Sequence, residues 1–237
     1  MKVIQETSNL YRLTRFGMIN CFLVKEEEQF ILVDTGLRGS ASQILKAAEQ
    51  LGLPIARIVL THAHLDHVGS VDAIKQSLPS VELFVGSRES RIMRGDHSLA
   101  KNEQGKSLFG FPRVASLPTR LLTEGDRVGP LLVVNSPGHT PGHVAFLDVR
   151  DNSLIAGDAF TTQTGIIVAG VFSIIFPFPA LFSWNASLAA CSAHKLRQLN
   201  PSRLCVGHGE SKSSPASGMD RAIEIAYQQH PEAKQLM

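Results

Sequence analysis

Residues 61–69 read THAHLDHVG and follow directly on the apolar run Ile58, Val59, Leu60. His62, His64, Asp66 and His67 therefore fall within six positions, at what the apolar run marks as the end of a short buried strand. One surface histidine is ordinary; four ligand-type side chains crowded at a strand end restrict what the chain can build around them. In an extended segment, residues two apart point the same way, so His62 and His64 can share one target. Asp66 and His67 open the next predicted helix and, being adjacent, aim in different directions. The motif thus offers two groups to one ion and two to another. Imidazole with carboxylate is a donor set for zinc, iron or manganese and needs no thiolate.

Each ion needs further ligands, and three later strand ends carry candidates. SPGHTPGH (136–143) places His139 in a turn rich in Gly and Pro, IAGDAF (155–160) sets Asp158 just behind a buried strand, and VGHGE (206–210) sets His208 between two glycines. Small neighbours let a backbone approach a crowded centre, and strand ends are where α/β folds build their sites. His143, four residues after His139, reads either as a further ligand or as a structural or supporting group behind the site, the second being favoured. Asp34 in VDTG either caps a turn or holds a ligand histidine in one tautomer.

The rest of the chain reads as alternating strands and helices. Residues 19–27 and 29–36 predict a hairpin, 40–52 a helix, 57–60 a strand, 66–79 one helix closed by Pro79, 81–86 a strand and 87–95 a short helix. Residues 96–119 are irregular and polar, a surface loop that can lie over the site. Strands follow at 130–137, 143–150 and 153–158, then a helix at 185–199, a strand at 203–207 and a helix at 217–230. Two groups of strands, each followed by helices, predict an α/β sandwich of two sheets with helices outside. A length of 237 residues suits a single domain spanning 1–237.

Composition narrows the partners. A net charge of +2, with no basic cluster, argues against nucleic acid. Cys21, Cys191 and Cys205 are widely spaced and form no CxxC pair, so three buried thiols in a reducing compartment are expected. The first residues lack the apolar core of a signal peptide, which predicts a cytoplasmic protein. Residues 165–182, GIIVAGVFSIIFPFPALF, are long and apolar enough to raise a membrane span, but Pro177, Pro179 and two glycines favour a loop. No membrane association is expected. Residues 159–194 hold no Asp, Glu, Lys or Arg, and include Phe160, Phe172, Phe176, Phe178, Phe182 and Trp184. They read either as core or a homodimer contact, or as an apolar wall beside Asp158 that accepts part of a small-molecule substrate.

The set HxHxDH at 62–67, then His139, Asp158 and His208, resembles the metallo-β-lactamase superfamily in order and in placement after strands. The likeness runs from LVDTG to GHG and implies that family's fold, an αββα sandwich of two mixed β-sheets flanked by helices. It further implies two divalent metal ions, one held by His62, His64 and His139, the other by Asp66, His67 and His208, with Asp158 bridging. Zinc is the default for so His-rich a site; iron and manganese suit the donors as well. Two adjacent dications bring a shared water's pKa toward neutrality, giving a bridging hydroxide as nucleophile, and Asp66 would then carry a proton to the leaving group. That machinery suits a small ester, lactone or thioester. By resemblance, a bridging Asp158 is typical of glyoxalase II-like and lactonase-like members rather than true β-lactamases. His64 stands where flavodiiron members carry Glu. The chain after His208 is short for the basic extension with which glyoxalase II enzymes bind glutathione. The Tyr that many lactonases keep beside the metals is missing, since only Tyr11 and Tyr227 occur. The rivals are a phosphodiesterase or nuclease of the same fold, and a mononuclear iron persulfide dioxygenase.

Overall fold

The computed structural model describes residues 1–101 and 103–236, in two compact units. The first comprises Met1–Asp96 and Gly110–Leu122; the second comprises His97–Phe109 and the chain from Thr123 onward.

In the first unit, β1 (Lys2–Gln5), β2 (Leu10–Arg15), β3 (Ile19–Glu26), β4 (Gln29–Val33), β5 (Ile55–Leu60), β6 (Glu82–Gly86) and β7 (Arg120–Leu122) lie in that order in one sheet. β1 to β4 run antiparallel, and the expected hairpin is β3–β4. β4 to β7 run parallel, so each connection must cross over. The crossovers carry α1 (Ala41–Gln50), the pair α2 (Leu65–Val68) and α3 (Val71–Ser77), and α4 (Ser87–Met93). Phe30 to Val33 of β4 and Ile58 to Leu60 of β5 are buried without alternation, as strands covered on both faces must be. The register Val33↔Val59 and Leu60↔Val85 aligns the C-terminal ends of β4, β5 and β6 along one edge.

The single helix expected over 66–79 is two helices. A helix running through this point needs the His67 carbonyl to accept the amide of Val71. Instead it accepts the Thr35 amide at 2.7 Å and the Thr35 hydroxyl at 2.9 Å. Gly69 sits against the 37–38 backbone, where a Cβ would meet the Arg38 nitrogen at 2.5 Å, and Ser70 donates to the Leu37 carbonyl at 2.6 Å. The break thus follows from docking the VDTG loop onto the motif.

In the second unit, the sheet order is β15 (Lys212–Ser213), β14 (Arg203–Cys205), β11 (Ser153–Ile155), β10 (Val144–Asp148), β9 (Leu131–Asn135) and β8 (Arg127–Val128). Only β11 and β14 pair in parallel, so this sheet is also mixed. The pairings Val144↔Asn135, Phe146↔Ile155 and Ile155↔Cys205 bring three connections to one edge: the turn joining β9 to β10 and those leaving β11 and β14. Leu154, Ala145 and Val134 pack with Ala189, Ala190, Ala193 and Leu196 of α6 (Ala186–Gln198) and with Ala222 and Ile223 of α7 (Ala216–Gln229). The small side chains of α6 let it lie close to its neighbours. β12 (Phe160–Thr161) and β13 (Ile167–Val168) form a separate ribbon, and α5 (Phe178–Phe182) is one short turn of helix. Among the described residues no helix is long and apolar enough to cross a membrane. Cys21 and Cys205 are buried as expected, but Cys191 on α6 is only half-buried.

Gly138 shows how tightly the turn before His139 is built. Its φ is +137°, and a Cβ there would lie 2.3 Å from the Cα of Ala189. Gly138→Ala should destabilise the fold by about 2–4 kcal/mol in urea unfolding, combining backbone strain with overpacking. Gly125→Ala, at φ +82° but facing open space, should cost only about 1 kcal/mol.

Candidate metal centre

The aligned strand ends of the first unit deliver Asp34 after β4, Thr61 and His62 after β5, and Glu89 from α4 after β6. Asp34 is 2% exposed and has a left-handed φ of +59°. Its carboxylate accepts the Thr61 amide at 2.8 Å, the Thr61 hydroxyl at 2.7 Å and the Nδ1–H of His67 at 2.8 Å. Because a hydroxyl has one proton to give, and Thr61 gives it to Asp34, the 3.0 Å contact between Thr61 Oγ1 and His62 Nδ1 must be an N–H donated by the histidine. His62 and His67 are therefore both fixed as Nδ1–H tautomers, which leaves the lone pair of each on a buried Nε2. That is the state a histidine needs as a metal ligand. The rings of His62 and His67 lie 3.9 Å apart, and His64 stands edge-on to His62 at 4.8 Å with its other face stacked on Phe111 at 4.4 Å. Asp66 is half-buried on the first turn of α2, beside His67. Of the two readings of Asp34, the structure bears out the tautomer-fixing one.

The edge of the second unit delivers the other three expected ligands. Asp158 Oδ2 lies 3.5 Å from Nε2 of His139 and 3.2 Å from Nε2 of His208. Two imidazoles facing one carboxylate oxygen form a donor set that suits a divalent cation. His143 is hydrogen-bonded through both ring nitrogens. Its Nε2 accepts the backbone N–H of Asp158 at 3.1 Å, so its proton is on Nδ1 and goes to Ser136 Oγ at 2.8 Å. Ser136 thus anchors the ring at Nδ1 while Nε2 holds the Asp158 amide. The donors present fit a divalent ion: in the first unit His62 and His67 are anchored through Nδ1, and in the second a carboxylate oxygen lies within 3.5 Å of two imidazole nitrogens.

Sequence reasoning missed two groups. Glu89 is fully buried, and its carboxylate accepts the amide of Ala63, between His62 and His64, at 2.8 Å. The signal was a carboxylate three and four residues before buried Ile92 and Met93, on the apolar face of α4. Ser183, at the end of α5, lies 3.3 Å from His139 Nδ1. Nothing in the local sequence marks it.

A family model described as the metallo-beta-lactamase superfamily matches residues 14–208. Over 228 residues, 94% of this chain and 98% of the relative, the chain is 43% identical to the uncharacterized protein YobT of Bacillus subtilis (strain 168). It is 32% identical to the probable metallo-hydrolase YflN of the same organism, over 79% of this chain and 78% of the relative. It is 31% identical to the hydroxyacylglutathione hydrolase GloC of Haemophilus influenzae (strain ATCC 51907 / DSM 11121 / KW20 / Rd), over 59% and 65%. The crystal structure of TTHA1623 in a di-iron-bound form superposes with a TM-score of 0.65 at 27% identity, over 86% of this chain and 94% of that one.

Asp34→Ala strands the Thr61 amide, the Thr61 hydroxyl and the His67 Nδ1–H together. It should weaken metal binding about 10–100-fold, as read by chelator competition. His143→Phe should lower metal content in the same assay by releasing the Asp158 backbone.

Proposed function

The chain belongs to the metallo-β-lactamase superfamily and is a metal-dependent hydrolase with a His-rich metal-binding site; from that premise we propose that it holds two divalent ions and cleaves a small ester, lactone or thioester with an apolar portion. The observation that carries the reading is the carboxylate of Asp158 set between Nε2 of His139 and of His208. A carboxylate so placed suits a bridge between cations. His62, His64 and His139 would hold one ion, and Asp66, His67 and His208 the other. Zinc is the first choice of ion, and the di-iron form of TTHA1623 keeps iron in view.

Divalent ions in such a site supply Lewis acidity toward a carbonyl and bring water's pKa toward neutrality. The chain's own residues do the rest. Asp34, through Thr61 and His67, keeps the ligand nitrogens unprotonated. His143 fixes the Asp158 backbone. Asp66 carries a proton to the leaving alkoxide or thiolate.

The apolar preference is supported by the second unit. Phe178, Leu181 and Phe182 on α5 are 48%, 53% and 39% exposed, and the Phe109 ring lies 5.3 Å from that of Phe182. With no charged residue from 159 to 194, this surface suits an acyl chain or aromatic group over an ionic one. The hydroxyacylglutathione hydrolase named among the relatives supports a thioester within the class. A cytoplasmic setting accords with three free thiols.

Metal analysis of the purified protein should give two ions per chain. His64→Ala and Asp158→Ala should each lose metal and hydrolysis together, and hydrolysis retained in either would contradict these assignments. On one preparation tested against lactones, thioesters, phosphodiesters and β-lactams, carbonyl substrates with longer acyl groups should be turned over fastest. Equal rates for short and long acyl chains would remove the apolar surface from substrate binding.

A further inference from the structure

The apolar segment is tied directly to one of the ligand histidines. Ser183 follows α5, is 2% exposed, and donates its hydroxyl proton to the Pro179 carbonyl at 2.5 Å. Having given that proton away, its oxygen can only accept at the 3.3 Å contact with His139 Nδ1. The histidine is therefore the donor, its proton sits on Nδ1, and its Nε2 lone pair faces Asp158 Oδ2 at 3.5 Å. Two lone pairs turned toward each other repel unless a cation lies between them. The same segment grips the turn that carries His139 through the main chain. The Trp184 amide donates to the His139 carbonyl at 2.9 Å, and the Asn185 amide to the Gly138 carbonyl at 2.8 Å.

We propose that Ser183 is a positioning residue for the metal site: it fixes His139 as the Nδ1–H tautomer and ties that ligand to α5, the helix that presents Phe178, Leu181 and Phe182. The inference rests on His139 being a metal ligand, as read above. The arrangement repeats what Thr61 does for His62 in the first unit, with a backbone carbonyl rather than a carboxylate taking the hydroxyl proton. In both places a hydroxyl spends its only proton elsewhere and so obliges the imidazole to donate. The consequence is that a helix carrying an exposed apolar face also sets the direction of a ligand nitrogen.

The test compares wild type, Ser183→Ala, Ser183→Thr, Ser183→Val and His139→Ala for zinc affinity by chelator competition. The imidazole N–H resonances of the zinc-loaded proteins are recorded alongside. Ser183→Ala should weaken zinc binding about tenfold or more and broaden the His139 Nδ1–H resonance through exchange. Threonine keeps a hydroxyl and valine has the same shape without one, so Thr should bind more tightly than Val. Equal affinity for Thr and Val, or wild-type affinity and an unchanged resonance in Ser183→Ala, would overturn the role of Ser183. Wild-type zinc binding by His139→Ala would instead overturn the ligand assignment on which it rests, so the two failures are separable.

Discussion

The buried carboxylate of Asp34 is the interaction on which the first unit's share of the site depends. Taking a carboxylate out of water costs several kcal/mol unless its oxygens are met by donors. Here they are met by the Thr61 amide, the Thr61 hydroxyl and the His67 ring. Each donor belongs to the segment that carries the histidines, so satisfying Asp34 and orienting the ligands are one event. The left-handed φ of Asp34 aims the side chain back across the end of β5, and Thr35, next in sequence, captures the His67 carbonyl and ends α2. Strain in the backbone, the helix break and the tautomers of two imidazoles thus share one origin.

The second unit reaches a similar end with different parts. There His139 meets a hydroxyl that has given its proton to a backbone carbonyl rather than to a carboxylate, and Asp158 is held by its own backbone amide, on His143. Register makes both solutions available. Parallel pairing in one sheet, and the β9–β10–β11–β14 order in the other, each bring loops remote in sequence to one edge of their own sheet. Strand ends of an open α/β sheet are where side chains from several connections can converge without disturbing the buried strands.

Much of this was legible in the sequence, for reasons that explain what was not. The strands at 29–36, 57–60 and 81–86 show as apolar runs, and the helices at 40–52, 185–199 and 217–230 show as periodic patterns, because burial imposes those patterns directly. The ligand candidates were legible because His and Asp are costly just behind buried strands unless they have a task. The single helix expected over 66–79 failed because its break is imposed by Thr35, Leu37 and Arg38, more than thirty residues away in sequence. β1, β2, β7 and β8 are short or lie at or near sheet edges, where alternation is weak. Ser183 left no signal because a lone serine acquires its role only from what folds against it.

The supporting groups also bear on how binding energy is used. An imidazole free to rotate must lose rotamer freedom when it takes a metal, and that loss subtracts from affinity. His62, His67 and His139 are already anchored at Nδ1 by Thr61, Asp34 and Ser183, so the ordering cost is met during folding rather than on binding. The fold bears a corresponding burden: in the second unit the Nε2 lone pair of His139 and the Asp158 carboxylate oxygen face one another 3.5 Å apart. A ligand that binds only the folded chain then stabilises it by mass action. A divalent cation is the ligand whose charge relieves that crowding, so the arrangement that weakens the chain on its own is the one that makes the cation's contribution to stability large.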